Sequence, residues 1–594
     1  MSADLSVALG VKGPAIEPRA PRVSLFPHLH AASGVAARFL SNFLIWLILF
    51  VPVLCLQWYD HAFLGEFGGY PDEPAHYVTG LMFRDYFASL HYFSPFQFAE
   101  NYYVHYPKVG IGHWPPVFYV VEAFWTLIFS TSRASLMVLM AVFSALLAFT
   151  LYTILKDKLG RPVALAAAFI LVALPTVQAQ AGMLMADIPV AFFSLLAAWS
   201  FGRFLDTERS LDALRFGAFS CVAIMTKGSG FALMLVPLIA IPLSRKWNLV
   251  RRPALWASAA IVLTVCGPWY WLTRRMLSGS WDSVHSSSFS TALFYVEHSL
   301  GILGWGLTIL AVVGIVVVFR ELLRSPQTNG MWASLVGLAA GVYILLFVVP
   351  TGREDRYLLP VIPVAVAFSA MGAKYIASKL LAKWPSAAAR AASVALLVLC
   401  FVFTGLSFPR AYSRGYGAVA KMLVSDPVLD RSVILVSSDA EGEGMLISEI
   451  AMRDRRPGHI VLRASEVLAR SDWNGGNYRL FYSSPQDLQR YLESIPVRAV
   501  VISLSRPGDP PQLQALLRQT LAADAEDWKL VGAYPSWRKS IEYPNSLQVY
   551  LRRGDFRASR AAIHIDMQRM LGREFTLQPG TQPNASPSSL SPTP

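Results

Sequence analysis

Charge is what this chain has little of. Lys, Arg, Asp and Glu make up 15% of its 594 residues, against about 25% in an ordinary soluble protein. Hydrophobic residues make up 54%, more than soluble cores need, and they are gathered into blocks rather than spread at helix or strand period. This excludes a wholly soluble protein and points to a chain threaded through lipid. Cysteine is also scarce. Cys55, Cys221, Cys266 and Cys400 all fall inside apolar blocks, so they read as small buried hydrophobes. No disulfide framework is predicted, and redox compartment is not informative. No charged-then-apolar opening with a small-residue cleavage site is visible, so the first apolar block is expected to remain as an anchor.

Runs of about 17 to 25 apolar residues are long enough to cross a bilayer as helices. They lie at 39–58, 134–155, 162–180, 188–205, 210–226, 229–243, 254–272, 298–319, 331–350, 356–378 and 389–407. The pair at 210–243 is short and broken at Thr226-Lys-Gly-Ser-Gly230. Lys12, Arg19, Arg22 and Arg38 precede the first run, which predicts a cytoplasmic segment over 1–38. The segment 114–130 is apolar enough to cross, but counting it as a crossing would put Lys156–Arg161 outside. As a re-entrant or interfacial helix it leaves the basic clusters at 156–161, 244–252, 320–324 and 374–390 inside, with about eleven full spans and an external carboxyl-terminal part. The formal charge of +13 is thereby assigned to cytoplasmic loops and membrane edges facing anionic lipid. No basic-aromatic nucleic-acid motif is present.

Three external segments keep enough polar chemistry to matter. The loop 59–113 holds Asp60, Glu66, Asp72, Glu73, Asp85 and Glu100, with His76, His91, His105 and His113 among many aromatics. A loop that long with no linker character is expected to be folded and functional. Within Tyr70-Pro-Asp-Glu-Pro-Ala-His-Tyr77, Pro74 suits the first turn of a helix. Asp72 would then stand at its start, with His76 one turn on. On spacing alone Asp72 is either a helix cap or a catalyst. The second segment surrounds Asp187, before Ile188 and Pro189, where a helix start is the plainer reading. The third is Thr351-Gly-Arg-Glu-Asp-Arg-Tyr357.

The order of these features resembles the GT-C superfamily of glycosyltransferases, in the family 39 branch of protein O-mannosyltransferases and aminoarabinose transferases. An Asp-Glu pair opens the first external loop (Asp72, Glu73), followed by His113-Trp-Pro-Pro-Val-Phe-Tyr119, Met185-Ala-Asp-Ile-Pro189, Met225-Thr-Lys-Gly228 and Asp355-Arg-Tyr-Leu-Leu-Pro360. The resemblance covers about residues 39–407. Members of the aminoarabinose type commonly carry Lys before the Pro pair, where this chain has His113 and Trp114. The resemblance implies a polytopic α-helical membrane protein with about 11 to 13 transmembrane helices in a bacterial inner membrane. It also implies transfer of a sugar from a polyprenyl-phosphate donor to a protein, lipid or glycan acceptor.

Such a donor already carries an anionic leaving group. The site must therefore deprotonate an acceptor hydroxyl and stabilise charge gathering on phosphate. Asp72 is the expected base. Glu73 is expected to contact the acceptor or orient the base, and Asp187 to hold sugar or acceptor. Arg353 and Arg356 lie on the outside, against the charge bias, and are the leading phosphate ligands. Lys227, Tyr357, His76 and His113 are further candidates for substrate contact. These residues make no cofactor certain. His76, His105 and His113 show no zinc-site spacing, and a divalent metal stays open through their convergence with His285 or Glu297-His298. A transporter or lipid flippase is the rival reading, and would call for charges at mid-membrane and repeated halves. The acids here stand at the rim of the spans, and no repeat is visible. A membrane scaffold whose outer domain binds a partner is a second rival.

After about residue 408 the composition changes. Apolar runs at 431–438, 459–464, 498–504 and 547–553 alternate with helix-like stretches near 415–424, 443–453, 484–493 and 511–521. This predicts a soluble α/β domain over 408–555. Asp439-Ala-Glu-Gly-Glu-Gly444 follows a strand as an anion-binding turn would, but its own acids would repel phosphate. The Pro/Ser-rich tail, 556–594, is expected to be disordered.

Overall fold

The computed structural model describes residues 27–90, 94–110, 112–281, 288–349, 353–404, 412–470, 479–504, 512–538, 541–553, 563–566 and 574–577. Two compact units are distinguished, Met1–Leu47 and Ile48–Pro594. The first is described from residue 27 on, where its chain is helical throughout. His91, His285 and most of the tail lie outside the described residues.

Helix α1 (Pro27–Tyr59) leads into the loop 59–113, which is folded around α2 (Glu73–Ser89) and α3 (Pro95–His105). Next comes α4 (Val117–Ile128), followed by α5 (Arg133–Leu159), α6 (Arg161–Ala173), α7 (Pro175–Ala181), α8 (Asp187–Thr207), α9 (Ser210–Ile224), α10 (Leu235–Ser244), α11 (Pro253–Trp281), α12 (Ser288–Arg324), α13 (Gly330–Val348), α14 (Ile362–Leu380) and α15 (Ser386–Val402). Among the described residues six helices are long and apolar enough to cross a membrane, and a seventh if α6 and α7, bent by 61°, form one broken span.

That is fewer than the eleven runs counted along the sequence, although each run contains helix among the described residues. The difference is one of length and continuity. The run 229–243 is divided into a 3-10 turn, Gly228–Met234, and the ten-residue α10. The run 356–378 opens with a 3-10 turn at Asp355–Leu358. Helices α9 and α15 have only 15 and 17 residues. Backbone that departs from a helix is tolerated at membrane depth when protein surrounds it. Helix α4 has 12 residues, about 18 Å at 1.5 Å per residue, so it is short of the roughly 30 Å of hydrocarbon a crossing needs. Its first N–H, on Val117, donates to Met225 O at the end of α9 (2.9 Å).

Burial orders the helices. The most apolar window of α8 is 78% buried and that of α5 67%, against 11% for α11, so α8 and α5 are central while α11 faces outward. The α12–α14 crossing rests on two glycines. A Cβ on Gly314 would overlap Phe368 O, and one on Gly372 would overlap Leu310 O. Without a hydrophobic driving force between helices in lipid, such backbone proximity supplies the packing energy.

The carboxyl-terminal region carries α16 (Tyr416–Ser425), β1 (Val433–Ser437), α17 (Ala440–Arg453), β2 (Ile460–Arg463), α18 (Ala464–Val467), β3 (Ala469–Arg470), β4 (Arg479–Leu480), α19 (Pro485–Ser494), β5 (Val497–Leu504), α20 (Gln512–Ala523), β6 (Trp528–Arg538) and β7 (Ile541–Arg552). The main sheet runs β2-β1-β5-β7-β6. Its first three strands are parallel and its last two antiparallel. Strand β6 has no counterpart in the sequence reading, because Gly532, Pro535 and two register shifts interrupt its alternation. A small antiparallel pair, β8 (Ile563–Asp566) with β9 (Glu574–Leu577), corrects the expectation that all of 556–594 is without structure. Ile563-His-Ile-Asp566 and Glu574-Phe-Thr-Leu577 alternate apolar with polar residues, as paired strands do. The sheet region meets the loop through α17, whose Ser448 Oγ donates to Pro74 O (3.3 Å).

Gly372→Val should push α12 and α14 apart and cost about 1–3 kcal/mol. The expected outcome is a lower thermal unfolding midpoint in detergent, with Gly301→Ala, whose added Cβ meets nothing within 4 Å, unchanged.

Candidate active site

The turn before α2 is held by Glu73. Its carboxylate is fully buried and accepts from Gly69 N (2.7 Å), Leu184 N (3.2 Å), Arg133 Nε (3.1 Å) and Arg133 Nη2 (2.9 Å). Arg133 also donates to Ala62 O (2.6 Å), Gly65 O (3.2 Å) and Gly182 O (2.9 Å). One ion pair thus ties the loop to the start of α5 and to the turn that leads into α8. The expectation that Glu73 contacts the acceptor is corrected, since its oxygens are turned inward and already occupied.

Asp72, the preceding residue, faces the other way. It makes no capping bond to α2, so the cap reading fails on geometry. Instead Arg356 Nη2 donates to Asp72 Oδ2 at 2.9 Å. Burial alone would raise the Asp72 carboxyl, but the charges of Arg356 and Lys227 outweigh it and hold the group below the usual carboxylate range. Asp72 is therefore ionised at neutral pH, with its side chain 20% exposed.

Arg356 sits on the 3-10 turn Asp355–Leu358, between the rings of Tyr70 (4.5 Å) and Tyr357 (5.5 Å). Its Nε and Nη1 are buried and have no hydrogen-bond partner. Nearby, Lys227 Nζ donates to Asp187 Oδ1 (2.5 Å) and lies 5.1 Å over the Tyr357 ring. Asp187 Oδ2 is buried without a partner. The break at 226–230 ends α9 and places Lys227 in extended backbone, which lets its side chain reach the first turn of α8. Asp72, Arg356, Tyr357, Lys227 and Asp187, from four separate stretches of sequence, thus form one cluster of alternating charge.

The other expected residues take different places. His76 is buried, with Nδ1 2.8 Å from Tyr119 Oη and its ring 4.7 Å from Trp114. Burial pushes it down to about 3, so it is a neutral link between α2 and α4. It lies beneath Asp72 rather than on an open surface. His113 stacks edge-on against Trp114 (4.5 Å). Burial lowers it, and the Asp72 charge works in the opposite direction. Arg353 is not brought into the cluster. It is exposed, bonds Ser290 and lies 6.0 Å over Phe294 on α12. Among the described residues no group of three His, Cys, Asp or Glu is placed to hold a metal ion. His105 meets His459 O (3.1 Å), and His298 meets Asp355 (3.6 Å).

Two residues at the site carried no sequence signal. Tyr70 stacks on Arg356 and is pushed up to about 12 by burial and by Glu354. Lys108 is half-buried under α17, where a Cβ on Gly444 would come within 2.7 Å of Lys108 Cε and 3.0 Å of Pro74 Cβ. Burial and Arg463 push its ammonium down to about 8, against the pull of Glu443, Asp72 and Glu466. In the sequence it is one basic residue in an aromatic loop. The acids of 439–444 serve the domain itself: Asp439 caps α17 at Gly442 N (2.8 Å) and pairs with Arg538, and Glu443 takes Arg463 (2.9 Å).

Residues 113–271 match the family model described as dolichyl-phosphate-mannose-protein mannosyltransferase. The crystal structure of ArnT from Cupriavidus metallidurans in the apo state is similar over 85% of this chain and 97% of that one, at 16% identity and a TM-score of 0.55. The structure of ArnT bound to undecaprenyl phosphate is similar over 85% and 98%, at 15% identity and a TM-score of 0.53. No curated protein matches the chain by sequence. The chain is a polytopic α-helical membrane protein of the GT-C fold with a carboxyl-terminal α/β region.

Glu73→Ala would leave Arg133 buried and unpaired, a change that costs about 3–5 kcal/mol. The expected outcome is loss of folded protein in size-exclusion chromatography, or a strongly lowered unfolding midpoint.

Proposed function

We propose that this protein is a membrane glycosyltransferase acting on the extracytoplasmic side of a bacterial inner membrane. It moves a sugar from a polyprenyl-phosphate donor to an acceptor hydroxyl. The observation that carries this reading is the guanidinium of Arg356. One of its nitrogens holds Asp72, while Nε and Nη1 are buried and unpartnered. A guanidinium offers paired donors suited to phosphate oxygens, and leaving it unsatisfied in a buried site is costly. Arg356 thus sets a base and a phosphate-binding edge side by side.

The tail of such a donor has a place to lie. An apolar cleft of about 480 Å³ between α9, α10 and α11 is lined by Ile224, Phe231, Leu238, Trp256, Leu263 and Tyr270 among others. Ile224 precedes Lys227 by three residues, so the cleft begins beside the charged cluster. The undecaprenyl phosphate in the ArnT structure agrees with a donor of this class.

In the proposed reaction Asp72 takes the proton of the acceptor hydroxyl as its oxygen bonds to the anomeric carbon. The bond from that carbon to the phosphate oxygen breaks, and polyprenyl phosphate leaves. Arg356 meets the charge that gathers on the phosphate, and Lys227 stands next to it. Asp187 Oδ2 is free to accept from a hydroxyl of the sugar or the acceptor. A single displacement inverts the anomeric centre.

Transfer from radiolabelled polyprenyl-phosphate sugars in membranes tests this. Asp72→Asn should reduce it about 10²–10⁴-fold at normal protein level, as loss of a general base does. Arg356→Lys, which keeps the charge and loses the fork, should reduce it by a similar order. The labelled product identifies the acceptor as protein, lipid or glycan. Unchanged transfer in Asp72→Asn, or no transfer by the wild type from any such donor, would overturn the reading, and a retained anomeric configuration would overturn the single displacement.

A further inference from the structure

A second set of titratable groups lies where the loop 59–113 meets α16 and α17. Glu66 N donates to Ser413 O (2.8 Å). The Glu66 carboxylate accepts from the backbone N–H groups of Gly415 (3.0 Å), Tyr416 (2.9 Å) and Gly417 (3.0 Å) at the start of α16. Glu449 reaches the same spot from α17, with its side chain only 2% exposed. A Cβ on Gly417 would lie 2.8 Å from Glu66 Oε1, 3.0 Å from Glu449 Oε2 and 3.1 Å from Arg453 Nη2. Two carboxylates therefore face one small space, with a guanidinium whose side chain is 31% exposed at its edge.

The other groups facing this space do not balance it. Arg453 pairs with Glu449. Arg133 also acts on Glu449 but is committed to Glu73. Tyr77, on α2, uses its hydroxyl on Thr131 O (2.7 Å). Two negative charges thus face one available positive charge, and a single proton would balance them. The residue before Glu449 is Ser448, which donates to Pro74 O, two positions beyond Asp72.

We propose that Glu66 and Glu449 form a pH-sensitive clasp that holds α17 on the Asp72 segment while the pair keeps one proton and releases it when both carboxylates ionise. Burial pushes Glu449 up, and the Glu66 charge pushes it further, to about 7. Glu66 is also raised by burial, but three backbone N–H groups oppose the rise, so the proton rests on Glu449. The clasped form binds a proton that a solvated carboxyl, at about 4.3, would have lost. Its stabilisation is therefore full below that value, declines as pH rises towards 7 and is gone above it.

Hydrogen exchange of 416–425 and 440–453 in the full-length protein, corrected for intrinsic rates and followed from pH 5 to 8, tests the clasp. In the wild type, opening should increase by up to tenfold per pH unit towards pH 7, as release of one proton requires. In the wild type sugar transfer should fall as the clasp opens towards pH 8, and in Glu449→Gln both this fall and the exchange profile should be flat. Glu66→Gln, which still accepts from the α16 backbone, should also flatten it and serves if Glu449→Gln fails to fold. Asp72→Asn should keep the wild-type exchange profile while losing transfer, which separates the clasp from the proposed function on which its activity readout rests. A wild-type profile flat in pH, or one unchanged in both Gln variants, would overturn the clasp.

Discussion

The buried ion pair of Glu73 with Arg133 is the constraint on which the rest of the site depends. Glu73 is fully buried and Arg133 nearly so, and each spends its remaining capacity on backbone: Gly69 and Leu184 on one side, Ala62, Gly65 and Gly182 on the other. A buried pair returns its desolvation cost only when its other donors and acceptors are satisfied in this way. The result is geometric. The loop that carries Asp72 and the turn that leads to Asp187 are fastened to the same guanidinium. Because Glu73 turns inward, its neighbour at the helix start is directed towards Arg356.

Around that peg, charge is arranged in alternation. Asp72 and Asp187 each hold a cation, Arg356 and Lys227, and Tyr357 lies beside both cations. Polar capacity remains on Arg356 and Asp187. In a site walled by aromatics, unmet donors and acceptors of this kind are the chemistry open to a ligand. The carboxyl-terminal region belongs to the same assembly, since α17 lies against Pro74 and Lys108 and Asp85 is held by Arg456 (2.7 Å).

Much of this was legible in the sequence. Apolar runs placed every membrane helix position, because burying 17 or more apolar residues in lipid leaves a signal that survives without a partner. The strands β1, β2, β5 and β7 showed through their apolar runs. Asp72, Asp187, Lys227, Arg356 and Tyr357 stood out as polar groups at the rims of spans. The broken helices were less legible, since only the surrounding protein makes a 3-10 turn or a ten-residue helix tolerable at that depth. Strand β6 was hidden by its bulges. Arg353 and Arg356 looked equivalent three residues apart, yet the 3-10 turn sends only the second towards Asp72.

By itself the sequence determined that this chain lies in a membrane, which loops carry its acids, and that an α/β part follows the apolar runs. Those properties follow from local composition and period, which act along the chain. The tertiary structure alone decided that Glu73 is a peg and Asp72 the half-buried acid turned towards Arg356, that Asp187 belongs to Lys227, and that Tyr70, Lys108 and α17 line the same place. It also decided that Glu66 and Glu449 meet. These are contacts between residues far apart in the chain, and their energies depend on burial and distance, which no window of sequence contains.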